Sequence, residues 1–128
     1  MHTIKPLFWI GSSKKDVLAL PVNIRKFFGH VLDFAQRGGQ HGAVKSLKGF
    51  GGAGVLEIAE DDVGGTYRAV YTVKFAEAVF VPHCFQKKSK RGIETPKKEM
   101  DIIRHRLKLA EAYAEKLREE LRNGKTTH

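Results

Sequence analysis

The chain has 128 residues, a net charge of +9 and a single cysteine. That length fits one core built from a sheet and a few helices and excludes two independent cores, so residues 1–128 read as a single domain. Lone Cys84 excludes an internal disulfide and a metal site made from cysteine pairs, and the positive balance favours a polyanion, an anionic membrane surface or an acidic protein partner.

The first apolar run, residues 7–10, is aromatic and β-branched and reads as a strand. It is too short for the core of a signal peptide, and no run approaches the roughly 20 residues of a membrane helix. The expectation is a soluble cytoplasmic protein, in keeping with its one cysteine. Gly11-Ser12-Ser13 then supplies a turn with Ser13 as a helix cap, and residues 14–20 form a short helix that Pro21 ends. Val22, Ile24, Phe27, Phe28, Val31, Leu32, Phe34 and Ala35 recur at helical spacing until Gly38-Gly39. This predicts an N-terminal helical hairpin whose apolar stripe lies on a sheet.

Residues 38–54 are glycine-rich and read as loop, with Lys45 and Lys48 facing solvent or a ligand. Three strands follow, at residues 55–59, 67–73 and 78–85, separated by turns at Asp61-Asp62-Val63-Gly64-Gly65 and around residues 74–77. They predict an antiparallel meander. Thr95 in cap position, Pro96 in the first turn and Glu99 near a capping-box place start a long C-terminal helix. Its stripe is Met100, Ile103, Leu107, Ala110, Ala114, Leu117 and Leu121, and residues 123–128 should fray. The predicted class is α+β, in the order β-α-α-β-β-β-α.

With these elements in place, Leu47-Lys48-Gly49, Gly54-Val55-Leu56-Glu57-Ile58, Tyr67-Arg68-Ala69-Val70-Tyr71 and Phe85-Gln86-Lys87-Lys88-Ser89-Lys90 followed by Thr95-Pro96 resemble the RelE/ParE toxin superfamily. The likeness is to its phage-related HigB-like branch and runs from Leu7 to about Leu109. It implies a RelE-like single domain and, in many members, ribosome-dependent cleavage of messenger RNA that a cognate antitoxin blocks. ParE-like members share the scaffold and poison DNA gyrase, so fold alone does not choose between them. A decayed, non-toxic RNA-binding relative is the third reading.

Cleavage that uses the RNA's own 2′-hydroxyl needs help in removing that proton, positive charge on the phosphate and a proton for the leaving 5′ oxygen. It requires no metal, and neither a metal nor a cofactor is expected. The resemblance puts the superfamily's strand arginine at Arg68, where a planar guanidinium can hold two phosphate oxygens; its structural alternative is a partner for Glu57. Lys87, Lys88, Lys90 and Arg91 leave the last strand together, either as phosphate contacts, with Lys87 nearest the chemistry, or as a solvated turn. Phe85 either stacks on an unpaired base or belongs to the core.

Relatives often carry lysines on the second strand, whereas this chain has Glu57, Glu60, Asp61 and Asp62 in and after that strand. Glu57 is thus a candidate general base or the pair of Arg68. Of the six histidines only His83 is near this constellation, as an acid or base or as a hydrogen-bonded strand residue. Alternation should put it on the face of Phe85, with Cys84 on the other and Tyr67 and Tyr71 opposite Arg68. The expected partners are messenger RNA, the ribosome and a helix-turn-helix antitoxin.

Overall fold

A computed structural model of the protein describes residues 4–52, 54–87 and 95–124. In chain order it contains β1 (Leu7–Trp9), α1 (Ser13–Leu18), α2 (Val22–Gln36), β2 (Val44–Ser46), β3 (Val55–Asp62), β4 (Gly65–Thr72), β5 (Val79–Lys87) and α3 (Lys97–Gly124). The strands form one five-stranded sheet in the order β1-β5-β4-β3-β2. β3, β4 and β5 make the expected antiparallel meander, while β1 runs parallel to β5, so the sheet is mixed and the class is α+β.

Side-chain alternation along the central strand β4 explains the layering. Tyr67, Ala69 and Tyr71 point to one side, into a core with Val17 of α1 and Ile24, Phe28, Val31, Leu32 and Ala35 of α2. Val70 points to the other, into a cluster with Phe85 and Ile103 of α3. Further along α3, Ala110 and Ala114 are small enough to bring the helix close to Ile10 and Phe80. Every residue of β4 is buried as a result, and each large apolar side chain so covered contributes roughly 1.5–3 kcal/mol.

Local signals explain most boundaries. Pro21 serves as the residue before α2, and that helix ends in a Schellman motif: Gly39 N donates to Phe34 O and Gly38 N to Ala35 O, with Gly38 at φ +87°. Four expectations need correction. Phe34 and Val22 are 40% and 54% exposed, because the buried stripe of α2 is narrower than its apolar content. Ser13 lies inside α1 rather than capping it, and its hydroxyl donates to Val81 O at 2.8 Å.

The other two concern strands. β2 forms in the glycine-rich stretch read as loop, through the pairing of Val44 with Ile58 and Ser46 with Leu56. β3 runs on through its acidic residues to Asp62, since the turn to Gly65 contains only two residues and keeps the ladder intact. α3 runs to Gly124, and residues 125–128 of the expected tail lie outside the described ones.

β5 carries an irregularity that positions the site. Val70 pairs with His83 but Thr72 with Phe80, so one extra residue sits in β5 around Pro82. Pro82 has no N–H to give to a ladder, and a bulge tolerates it. The extra residue reverses the alternation, which places Phe80 and His83 on the same α3-facing side. Among the described residues no helix is long and apolar enough to cross a membrane.

Candidate functional site

The α3-facing side of the sheet gathers most of the residues singled out in the sequence. On β5, His83, Phe85 and Lys87 follow one another at alternate positions, opposite Val70, Arg68 and Thr66 of β4. Glu57 lies across from Val70 on β3, and Lys45 across from Glu57 on β2, so these side chains share that face too. Lys45 and Lys48 are exposed at its rim. Lys88, Lys90 and Arg91 lie outside the described residues.

Arg68 is not open to solvent. Its Nη1 donates to Glu57 Oε1 and Oε2 at 3.2 and 3.3 Å, with only 8% and 13% of the two side chains exposed. Thr95, just before α3, donates its hydroxyl to the same carboxylate at 3.1 Å. The structural pairing foreseen for Glu57 is therefore present. Thr95 and Glu99, expected to cap α3, turn to the sheet instead: Glu99 Oε1 meets His83 Nε2 at 3.1 Å.

His83 is buried and its ring stacks on Phe85, with centroids 5.0 Å apart and planes 19° from parallel. Phe85 thus belongs to the cluster with Leu47, Val55, Val70 and Ile103. Lys87 is largely covered as well. On the far side of β5, Cys84 is buried and its thiol is pushed up to about 12, chiefly by desolvation and also by the charge of Asp16, so it is no nucleophile. Tyr71 is likewise pushed up to about 12 by burial. A cleft of about 300 Å³ runs beside this strand, lined by Asp16, Ala19 and Leu20 and by residues 83–86.

Sequence reasoning missed Glu99 and Arg106. Arg106 Nη1 donates to Pro82 O at 3.0 Å and lies 3.4 Å from His83 Nδ1, while Nη2 donates to Ser12 Oγ at 3.0 Å. A signal existed: 99, 103, 106 and 110 fall on one helix face with the buried Ile103 and Ala110, and charged residues on a buried face need partners. No group of three or more His, Cys, Asp or Glu able to hold a metal ion occurs among the described residues.

Fold and site together define a small basic α+β protein with a mixed five-stranded sheet and a covered row of charged and aromatic side chains beneath its long C-terminal helix. Residues 15–108 match the family described as phage derived protein Gp49-like (DUF891), and the chain belongs to that family, a RelE-like toxin family of toxin–antitoxin systems. No curated protein and no solved structure matches the chain.

Proposed function

We propose that the protein is a RelE-like toxin of a type II toxin–antitoxin pair that cleaves messenger RNA on the ribosome and is neutralised in the cytoplasm by a cognate helix-turn-helix antitoxin. The observation that carries this reading is the convergence of Arg68, Glu57, His83 and Lys87 on one sheet face. The net charge of +9 suits a polyanionic substrate, and membership of a toxin family supplies the class. The HigB-like branch remains the expected subgroup.

In this reaction the ribose 2′-oxygen bonds to phosphorus after losing its proton, and the bond to the 5′ oxygen breaks as that oxygen takes up a proton. The products are a cyclic phosphate and a free 5′-hydroxyl. Arg68 neutralises the charge that develops on the phosphoryl oxygens, and Lys87 with Lys45 and Lys48 steadies the flanking backbone. Glu57 now holds Arg68 Nη1 with both of its carboxylate oxygens, in the place where phosphate oxygens would have to bind the guanidinium. RNA entry therefore requires α3 to yield at Thr95 and Glu99.

Expression in bacteria followed by primer extension on a translated transcript tests this. New 5′ ends inside reading frames are expected, weakened in Arg68→Lys and Lys87→Ala forms that still fold by circular dichroism. Equal toxicity of all three forms overturns the reading.

The burial of Arg68 in its pair with Glu57 favours a second reading, a non-enzymatic toxin of the gyrase-poisoning kind in which the arginine only holds strands together. It predicts DNA-damage signalling with transcripts intact. Salt-sensitive RNA binding without any toxicity marks the non-toxic relative instead.

A further inference from the structure

We infer that Arg106 and Glu99 together lock His83 as the neutral imidazole that carries its proton on Nε2, which makes it a fixed hydrogen-bond donor to an anion and not a proton shuttle. A guanidinium has donors only, so at 3.4 Å Arg106 Nη1 meets a lone pair on Nδ1. The Glu99 carboxylate has acceptors only, so at 3.1 Å it meets an N–H on Nε2. The opposite tautomer would set N–H against N–H on one flank and lone pair against lone pair on the other. A doubly protonated ring would still press Nδ1–H on Arg106.

Both partners are themselves held. Arg106 is tied to Pro82 O at 3.0 Å, on the bulge of β5, and to Ser12 Oγ at 3.0 Å, whose own proton goes to Asp16 Oδ2 at 2.7 Å. It also lies close over Gly11, where an added Cβ would be 2.7 Å from its Nε. Phe85 stacks on the imidazole and fixes its plane. A base needs an open lone pair, and the one on Nδ1 is turned to Arg106. As an acid, the neutral ring would leave as an imidazolate. What remains is donation from Nε2.

Glu99 sits in the first turn of α3, so the anion that replaces it on opening would take the Nε2–H in its stead. Under the nucleolytic reading above, that anion is a non-bridging oxygen of an RNA phosphate, and Arg106 is a positioning residue that aims His83 at it. The tautomer lock does not depend on that reading.

Long-range ¹H–¹⁵N spectra of the imidazole rings in the uniformly labelled full chain test the lock at neutral pH. The wild type is expected to show His83 as the Nε2–H form, and Arg106→Leu is expected to move it to a mixture. An Nδ1–H or doubly protonated His83 in the wild type, or an unchanged pattern in folded Arg106→Leu, overturns it. The donor role is read separately in the messenger-cleavage assay. His83→Gln, which keeps an N–H but cannot relay a proton, should retain most of the rate, while His83→Ala loses roughly 100-fold. If Gln falls as far as Ala the donor assignment is wrong; if the wild type cleaves nothing, the nuclease reading fails and the spectra still decide the lock.

Discussion

Arg68 on β4 and Glu57 on β3 face each other diagonally across the ladder, the guanidinium Nη1 within 3.3 Å of both carboxylate oxygens, under the hydroxyl of Thr95. Desolvating two charges is costly even when they pair, so such a pair does not need to stabilise the fold, but removing one partner strands the other. Arg68→Met or Glu57→Leu alone should each lower the unfolding free energy by about 3–5 kcal/mol, and the double substitution should cost less than either single one. Urea unfolding of the four proteins measures this. Simple additivity would mean that the charges are not coupled.

Lys45 and Lys48 stand at the exposed rim of the same face. Exposed substitutions there should change stability by less than about 0.5 kcal/mol. If both lysines touch backbone phosphates, Lys45→Ala with Lys48→Ala should reduce the slope of log affinity against log salt for single-stranded RNA by roughly 1.4, which is about 0.7 per contact. Fluorescence anisotropy over a salt series gives the slope. An unchanged slope would remove both lysines from the interface.

The meander and the two N-terminal helices were legible because each carries its own period: alternation around Arg68, and a three-and-four spacing from Ile24 to Ala35. The α3-facing site was legible only as a set of residues on strands. β2 was not, since Val44–Ser46 is three residues without a pattern and exists through pairing with β3. Nor was the covering of Arg68 and His83, because Thr95 and Glu99 fit helix capping equally well and only the approach of α3 to the sheet recruits them away. The bulge at Pro82 escaped for the same reason, being a property of the register between β4 and β5.

Arg118 grips Glu77 through two bonds of 3.0 and 3.2 Å, which ties the last third of α3 to the turn before β5. This pairing holds the Glu77 carboxyl below its usual range. A carboxylate depressed in the folded state contributes stability above its unfolded value and loses that contribution as the pH falls through the folded one. Glu77→Gln should therefore lower the melting temperature at neutral pH and match the wild type well below about pH 4. A gap that persists in acid would assign the effect to packing.

Burial drives the Cys84 thiol to about 12, so at pH 8 its thiolate fraction is roughly one in ten thousand. Labelling by a small thiol reagent should be undetectable in the native protein on the timescale that labels free cysteine, and should become complete in denaturant. Fast native labelling would show that the wall of α1 and α2 over β5 opens far more readily than its packing implies.

Gly11 and Gly38 both adopt positive φ, +60° and +87°, but differ in what surrounds them. A Cβ on Gly38 meets nothing within 4 Å, so Gly38→Ala should cost only the backbone strain of about 1 kcal/mol. A Cβ on Gly11 would lie 2.7 Å from Arg106 Nε and 2.9 Å from its Cζ, so Gly11→Ala must also move a guanidinium held by Pro82 and Ser12. Gly11→Ala should exceed Gly38→Ala by about 1–2 kcal/mol, and Arg106→Ala in the same chain should abolish that excess. Thermal and urea unfolding of the three single variants and the Gly11→Ala, Arg106→Ala pair would settle it, since an excess that survives without Arg106 cannot come from this contact.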